Sequence, residues 1–298
     1  MDGGARCEED SACVECQDNY LPGNRGEVSK KDNQVDVTLD DQMESLCDHV
    51  QSVDLDSRSL CYALPVPFGA LVRVLDFSQL FYLVSDAFLA RLFSSTPCLE
   101  DLIIHSPRQF SDASLFVRSL ACPHIHRLEL VACLRISDAG LESILTGCRN
   151  IQTLVLINSS SLLTDRFLSQ LACSPTIPRN LRVLNLSNAS HSITHHNPGL
   201  GSIAIYCPSI VHLDISRLPS VVTDEFLEFL TCTFSLQVLN LAYCHEITDR
   251  GLIYLANSCP ELREVDITAL SLVTDKGILE LEHHAKSHRF IKGIPTQH

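Results

Sequence analysis

The sequence predicts an α/β solenoid of about eight strand–helix units, curved into a horseshoe with a parallel sheet on the concave side and helices on the convex side. Three periodic features carry that reading. An apolar triplet, with aliphatic or Phe residues at its first, fourth and sixth positions, starts at Val72, Leu99, Ile125, Ile151, Leu181, Ile210, Leu236 and Leu262. The starts lie 27, 26, 26, 30, 29, 26 and 26 residues apart, a period at which each unit is one supersecondary element. A Ser or Thr follows each start by 12 or 13 residues, nearly always with Asp behind it. Cys or Cys-Pro stands three residues before the triplet at Cys122, Cys148, Cys207 and Cys259.

Each feature assigns an element. Side chains alternate along a strand, so the fourth and sixth triplet residues share the buried side and those between them face out. The hydroxyl-Asp pairs are Ser85-Asp86, Ser111-Asp112, Ser137-Asp138, Thr164-Asp165, Thr223-Asp224, Thr248-Asp249 and Thr274-Asp275; the fifth unit has Thr194-His195 instead. A hydroxyl caps a helix N-terminus by accepting from an orphan N–H, and Asp in the first turn suits the helix dipole. Leu252 and Leu255 then fall on one helix face. Pro after the helix begins the next extended segment. No unit can bury its apolar side alone, so stacked neighbours over residues 68–281 must supply the core.

Composition narrows the class. There are 45% hydrophobic residues but no Trp, and 6% aromatics, so the core is aliphatic. No apolar run reaches the roughly 18 residues of a membrane span, and Met1 to Asp10 holds no apolar signal stretch. A cytoplasmic or nuclear location is expected, where the 14 Cys are thiols rather than disulfides. Residues 1–66 hold 15 Asp/Glu against 5 Lys/Arg; residues 67–298 hold 21 against 17. Two segments are therefore expected: an acidic tail over 1–66, disordered through residue 42, and a repeat domain over 67–298 with a C-terminal cap. The acidic balance argues against a nucleic-acid backbone as partner.

Two units, Cys122-Pro123 through Leu128, Leu130, Cys133, Ile136, Ser137-Asp138 and Gly140-Leu141, and Leu236 through Leu239, Leu241, Cys244, Ile247, Thr248-Asp249 and Gly251-Leu252, carry a pattern. It resembles the cysteine-containing leucine-rich repeats of F-box proteins and of the antagonist-of-mitotic-exit-network family, over about residues 70–290. The resemblance implies a leucine-rich-repeat solenoid that holds a target protein, as substrate-recognition subunits of Skp1–cullin–F-box ubiquitin ligases do, or one acting in cell-cycle regulation. It also implies a Skp1/cullin complex as a partner. No F-box is seen: residues 1–42 are polar, Met43 to Val53 offers one short amphipathic stretch, and Leu64-Pro65 comes too late. The alternative is an F-box-less regulatory scaffold with no ligase attachment.

Candidate sites follow from the outward strand positions. The middle row reads Asp76, Ile103, Glu129, Val155, Asn185, Asp214, Asn240 and Asp266, flanked by Asp101, His105, Arg127, Val131, Thr153, Ile157, His212 and Glu264. All but Asp76 are the expected protein-binding residues. Ile103, Val131, Val155 and Ile157 are expected to form an exposed apolar patch, a common mark of interfaces; Asp214 and Asp266 are expected to face solvent. A solvated sheet face would also be polar. Cys7, Cys13 and Cys16 fall short of the four ligands of a structural zinc site, and His191, His195 and His196 read as a polar loop. No cofactor, metal or catalytic residue is expected: there is no phosphate loop, nucleophile elbow or His-Glu-x-x-His.

Overall fold

A computed structural model of the 298-residue chain describes residues 71–80, 84–107, 109–118, 123–158, 164–189, 198–218, 221–230, 235–283 and 290–293. The expectations for residues 1–66, the 66/67 boundary, Cys122, and His191, His195 and His196 lie outside these residues. In chain order the described elements are β1 (Val74–Phe77), α1 (Asp86–Ser95), β2 (Asp101–His105), α2 (Asp112–Arg118), β3 (Arg127–Val131) and α3 (Asp138–Gly147). Then come β4 (Thr153–Ile157), α4 (Asp165–Cys173), α5 (Ile177–Asn180), β5 (Val183–Asn185), α6 (Pro198–Tyr206) and β6 (His212–Asp214). The chain continues with α7 (Asp224–Phe229), β7 (Val238–Asn240), α8 (Asp249–Ser258), β8 (Glu264–Asp266), α9 (Asp275–His283) and β9 (Phe290–Lys292).

The strands form one sheet in chain order, every neighbouring pair parallel. Register follows the repeat: Leu102, Leu128, Leu154, Leu184, Leu213, Leu239 and Val265 stand side by side. These residues are essentially fully buried and join one aliphatic cluster with helix residues such as Leu89, Leu115, Leu168, Leu227 and Leu252. The 30-residue interval after Ile151 holds the extra turn α5, whose Ile177 and Pro178 are buried.

A ninth strand was not expected. Phe290–Lys292 pairs with β8 beyond the eighth unit. Its segment keeps one template residue, Ile291, packed against the core. Gly293 stands where the second buried aliphatic would be. It has φ +83°, and a Cβ there would lie 2.5 Å from the Thr268 nitrogen. Only glycine fits that backbone.

The helix caps that lie among the described residues agree with the sequence; Thr194 lies outside them. Ser85, Ser137, Thr164, Thr223 and Thr248 each accept an N–H from the first turn of their helices, and Ser111 and Thr274 do the same. The Asp behind each hydroxyl has a second role. Asp86 accepts from Ser111 N–H at 2.7 Å and from the Ser111 and Ser114 hydroxyls. Asp112 accepts from Ser137, Asp138 from Thr164, Asp224 from Thr248 and Asp249 from Thr274, each through both N–H and hydroxyl. Every such hydroxyl thus donates to the preceding unit while accepting from its own helix. Burial pushes the Asp86 and Asp249 carboxyls up, but these hydrogen bonds outweigh it and hold both below the ordinary range.

This contact explains the Gly three residues after the cap. A Cβ on Gly277 would lie 2.5 Å from Asp249 Oδ1 and 2.9 Å from its Cα. Gly140 and Gly251 meet Asp112 and Asp224 in the same way. The repeat cysteines supply further links. Cys133 and Cys244 are buried and approach the Ile104 and Ile215 carbonyls of the preceding unit at 3.8 and 3.3 Å. Cys148, Cys207 and Cys259 are buried and form no disulfide. Burial pushes Cys133 up strongly, and Cys207 and Cys244 up to about 12.

Candidate protein-binding face

The sheet face turned away from the helices carries three outward rows. The residue in the middle row decides how far its strand runs. Asp76, Asn185, Asp214, Asn240 and Asp266 each accept, through the side-chain oxygen, the N–H two residues ahead, at 2.8–3.0 Å. This bond turns the backbone out of the sheet: β5 to β8 are three residues long and end on that residue, and β1 runs one residue past it, to Phe77. Ile103, Glu129 and Val155 make no such bond, and β2, β3 and β4 run for five residues. His105, Val131 and Ile157 are thereby paired in register as a third outward row.

The candidate residues therefore divide into two groups. Asn185, Asp214, Asn240 and Asp266 are framework. Asp214 Oδ1 accepts from Ser216 N–H and its hydroxyl at 3.0 and 2.7 Å, while Oδ2 accepts from Asn185 and Asn240 amides at 3.3 and 3.1 Å. Asp266 is only 8% exposed, correcting the expectation that it faces solvent. Burial pushes its carboxyl up, but hydrogen bonds from Thr268 and the Lys292 ammonium at 3.1 Å bring it below the ordinary range. The second group surrounds the five-residue strands.

There the expected apolar patch needs correction. Ile103 and Val155 do point away from the helices, for they stand outside the central cluster, yet each is only 8% exposed. Parallel strands lie about 4.8 Å apart, and Ile103 and Val155 flank Glu129 directly in register. Packed side by side, these side chains cover one another. Val131, Thr153 and Ile157 are half-buried. The accessible apolar surface is thus displaced toward the third row.

Charges frame this block. Arg127 donates through Nε and Nη2 to Glu129 Oε1 at 2.9 and 2.6 Å. His126 stands 3.1 Å from Asp101 Oδ1 and 3.5 Å from Glu100 Oε2, and Arg73 pairs with Glu100. The Asp101 contact is close in distance but fails hydrogen-bond geometry, leaving Oδ1 buried without a hydrogen bond. Burial pushes Asp101 above the ordinary range against the pull of His126 and Arg127. His105 Nε2 is likewise buried and unbonded. On one strand, two polar atoms of Asp101 and His105 flank buried Ile103. His212 is half-buried, and Glu264 is exposed at the far end. Among the described residues, no three His, Cys, Asp or Glu side chains are grouped to hold a metal, and no helix is long and apolar enough to cross a membrane.

The sequence reading missed the rim beside this face. Directly after the strand region one residue in each unit from the second to the eighth has positive φ: Ser106, Ala132, Asn158, Asn188, Arg217, Tyr243 and Ala269, at 47–63°. The first six donate their N–H to the next unit, as Arg217 does to Ala242 at 2.8 Å and Tyr243 to Thr268 at 2.9 Å. Only the two Asn residues carried a cue for that conformation.

Parallel strands, outward rows and capped helices linked unit to unit build a leucine-rich-repeat solenoid fold. The sequence profile described as Leucine Rich repeat matches residues 234–256. The DNA repair protein rhp7 of Schizosaccharomyces pombe is 28% identical over 164 residues, covering 53% of this chain and 28% of that one. Antagonist of mitotic exit network protein 1 of Candida albicans is 25% identical over 177 residues, covering 51% and 26%. The aligned segment thus spans little more than a quarter of either relative. Among solved structures, internalin C2 of Listeria monocytogenes gives a TM-score of 0.45 at 20% identity, covering 70% of this chain and 84% of that one. The yeast Rad7–Elc1 complex gives 0.37 at 15% identity, covering 70% and 71%.

Proposed function

We propose that this protein is a recognition scaffold that recruits a target protein through the outward face of its sheet, and that it binds rather than catalyses. The observation that carries the reading is the block on β2–β4. There the strands run on past their neighbours, half-buried Val131 and Ile157 lie beside covered Ile103 and Val155, and polar atoms of Asp101 and His105 are buried without hydrogen bonds. A buried polar atom left without a hydrogen bond costs about 1–3 kcal/mol, and a docked peptide recovers it when the Asp101 and His105 side chains turn outward to meet it. Hence the contact residues are Asp101, Ile103, His105, Arg127, Glu129, Val131, Thr153, Val155 and Ile157. His212 and Glu264 lie on the margin, and Asn185, Asp214, Asn240 and Asp266 hold the face in shape.

Similarity to a DNA repair protein and to an antagonist of mitotic exit favours a regulatory task in the cytoplasm or nucleus. Substrate recognition within a Skp1–cullin ubiquitin ligase is one form of it; a scaffold without ligase attachment is the other. Proximity labelling with the full chain identifies the target, and pull-down with Skp1 separates the two forms. Replacing Val131 and Ile157 together by Ser should weaken target capture at least tenfold, about 1.4 kcal/mol. Unchanged capture by that variant, with loss only on deleting residues 1–66, would transfer the function to the acidic segment.

A further inference from the structure

The residues at positive φ share a backbone requirement, but not a side-chain one. Ser, Ala and Asn fill five of the seven positions, and the N–H bond to the next unit explains the geometry at all but the last. Nothing in that bond calls for the bulky side chains of Arg217 and Tyr243. A bulky residue at positive φ is a conformational outlier. Here two occur in adjacent units and their side chains meet. The Arg217 guanidinium lies 4.6 Å over the Tyr243 ring, and the His245 ring stands edge-on to Tyr243 at 6.5 Å. All three residues are exposed.

Arg217 also differs from four of the other arginines. Arg73, Arg127, Arg166 and Arg250 each lie within 4 Å of a carboxylate. Among the described residues none lies that close to Arg217. The nearby Asp214 has both oxygens committed to Ser216, Asn185 and Asn240. A guanidinium stacked on a ring keeps its in-plane N–H fork free and held in one orientation, the geometry that matches a carboxylate. A phosphate backbone would call for a cluster of Lys and Arg, whereas Arg217 is the one permanent cation of this trio. Exposed Arg and Tyr are also the residue types that anchor interfaces.

We propose that the Arg217–Tyr243–His245 rim is a docking point for an Asp/Glu-containing segment of a partner protein, whose carboxylate seats on the Arg217 fork beside the Tyr243 ring. The proposal deepens the protein-binding reading and rests on it. The probe is a blocked fluorescent decapeptide of alternating Glu and Leu, titrated into the full chain. Its Gln-for-Glu and phosphoserine-for-Glu counterparts and a single-stranded oligonucleotide are run in parallel. The Glu peptide should bind and the Gln peptide should be at least tenfold weaker. Arg217→Ala and Tyr243→Ala should each lose at least tenfold, and Arg217→Lys several-fold, with the melting temperature of Arg217→Lys unchanged. The proposal is overturned if the Glu peptide does not bind, if the Gln peptide binds equally, if Arg217→Ala is silent, or if the phosphopeptide or oligonucleotide is preferred. Capture of the labelled target that survives Arg217→Ala but not the Val131/Ile157 double substitution would overturn the rim and leave the sheet face standing. Loss with neither would overturn both.

Discussion

The carboxylate of Asp224 holds both the N–H and the hydroxyl of Thr248, at 2.9 and 2.5 Å, so the first turn of α7 is tied to the cap of α8. Thr248 in turn accepts from Arg250 N–H at 3.2 Å. One hydroxyl therefore starts its own helix and fastens it to the one before. Asp224→Ala removes two acceptors and should destabilise the chain by about 1–3 kcal/mol. Urea unfolding measures it, and a loss below about 0.5 kcal/mol would reduce the contact to an incidental one.

The same contacts set a pH dependence. Asp86 and Asp249 are held below their ordinary range in the folded state. Their contribution is complete above the ordinary carboxylate value near 4 and is lost as pH falls through the lower folded value. Stability should therefore drop below about pH 4, and Asp249→Asn should flatten part of that drop. An acid limb identical in the variant would exclude Asp249 as a contributor.

Glycine substitutions should split by position. Gly→Ala inside a helix ordinarily gains about 0.8–1 kcal/mol. Gly201, where an added methyl would meet no atom nearer than 3.9 Å, should follow that rule. Gly277 should do the opposite, because its methyl would press on Asp249 backbone and carboxylate; overpacking costs about 1–3 kcal/mol. Thermal melts of the two variants should move in opposite directions.

Thiol labelling of the native chain should reach Cys173, which is exposed, and spare Cys133, Cys148, Cys207, Cys244 and Cys259, which are buried. Thiolates are the reactive form, and burial pushes Cys207 and Cys244 up to about 12. Fast modification of Cys244 without unfolding would contradict its packing under the Ile215 carbonyl.

Core and face should also separate. Leu184 and Leu239 are fully buried, so either change to Ala should cost about 2–5 kcal/mol. Ile157→Ser, at a half-buried outward position, should cost much less. Val155→Ser should not be silent, since Val155 is 8% exposed. Equilibrium unfolding ranks the four.

The sequence by itself determined the strand positions of eight units, the helix caps and the buried leucines, because each follows from a local period or a local hydrogen bond. It also marked which residues face outward, since alternation along a strand needs no neighbour. Tertiary structure decided everything that joins residues about 25 positions apart. Stacking made Asp224 a clasp for Thr248 rather than a first-turn charge alone, turned Asp214 into a hub for two amides, and buried Ile103 and Val155 on a face that alternation leaves open. It placed Arg217 over Tyr243 and added β9, where only Ile291 echoes the template. The division has one physical cause. Periodicity fixes the direction of a side chain from its own backbone, whereas burial and pairing depend on what the next unit places beside it.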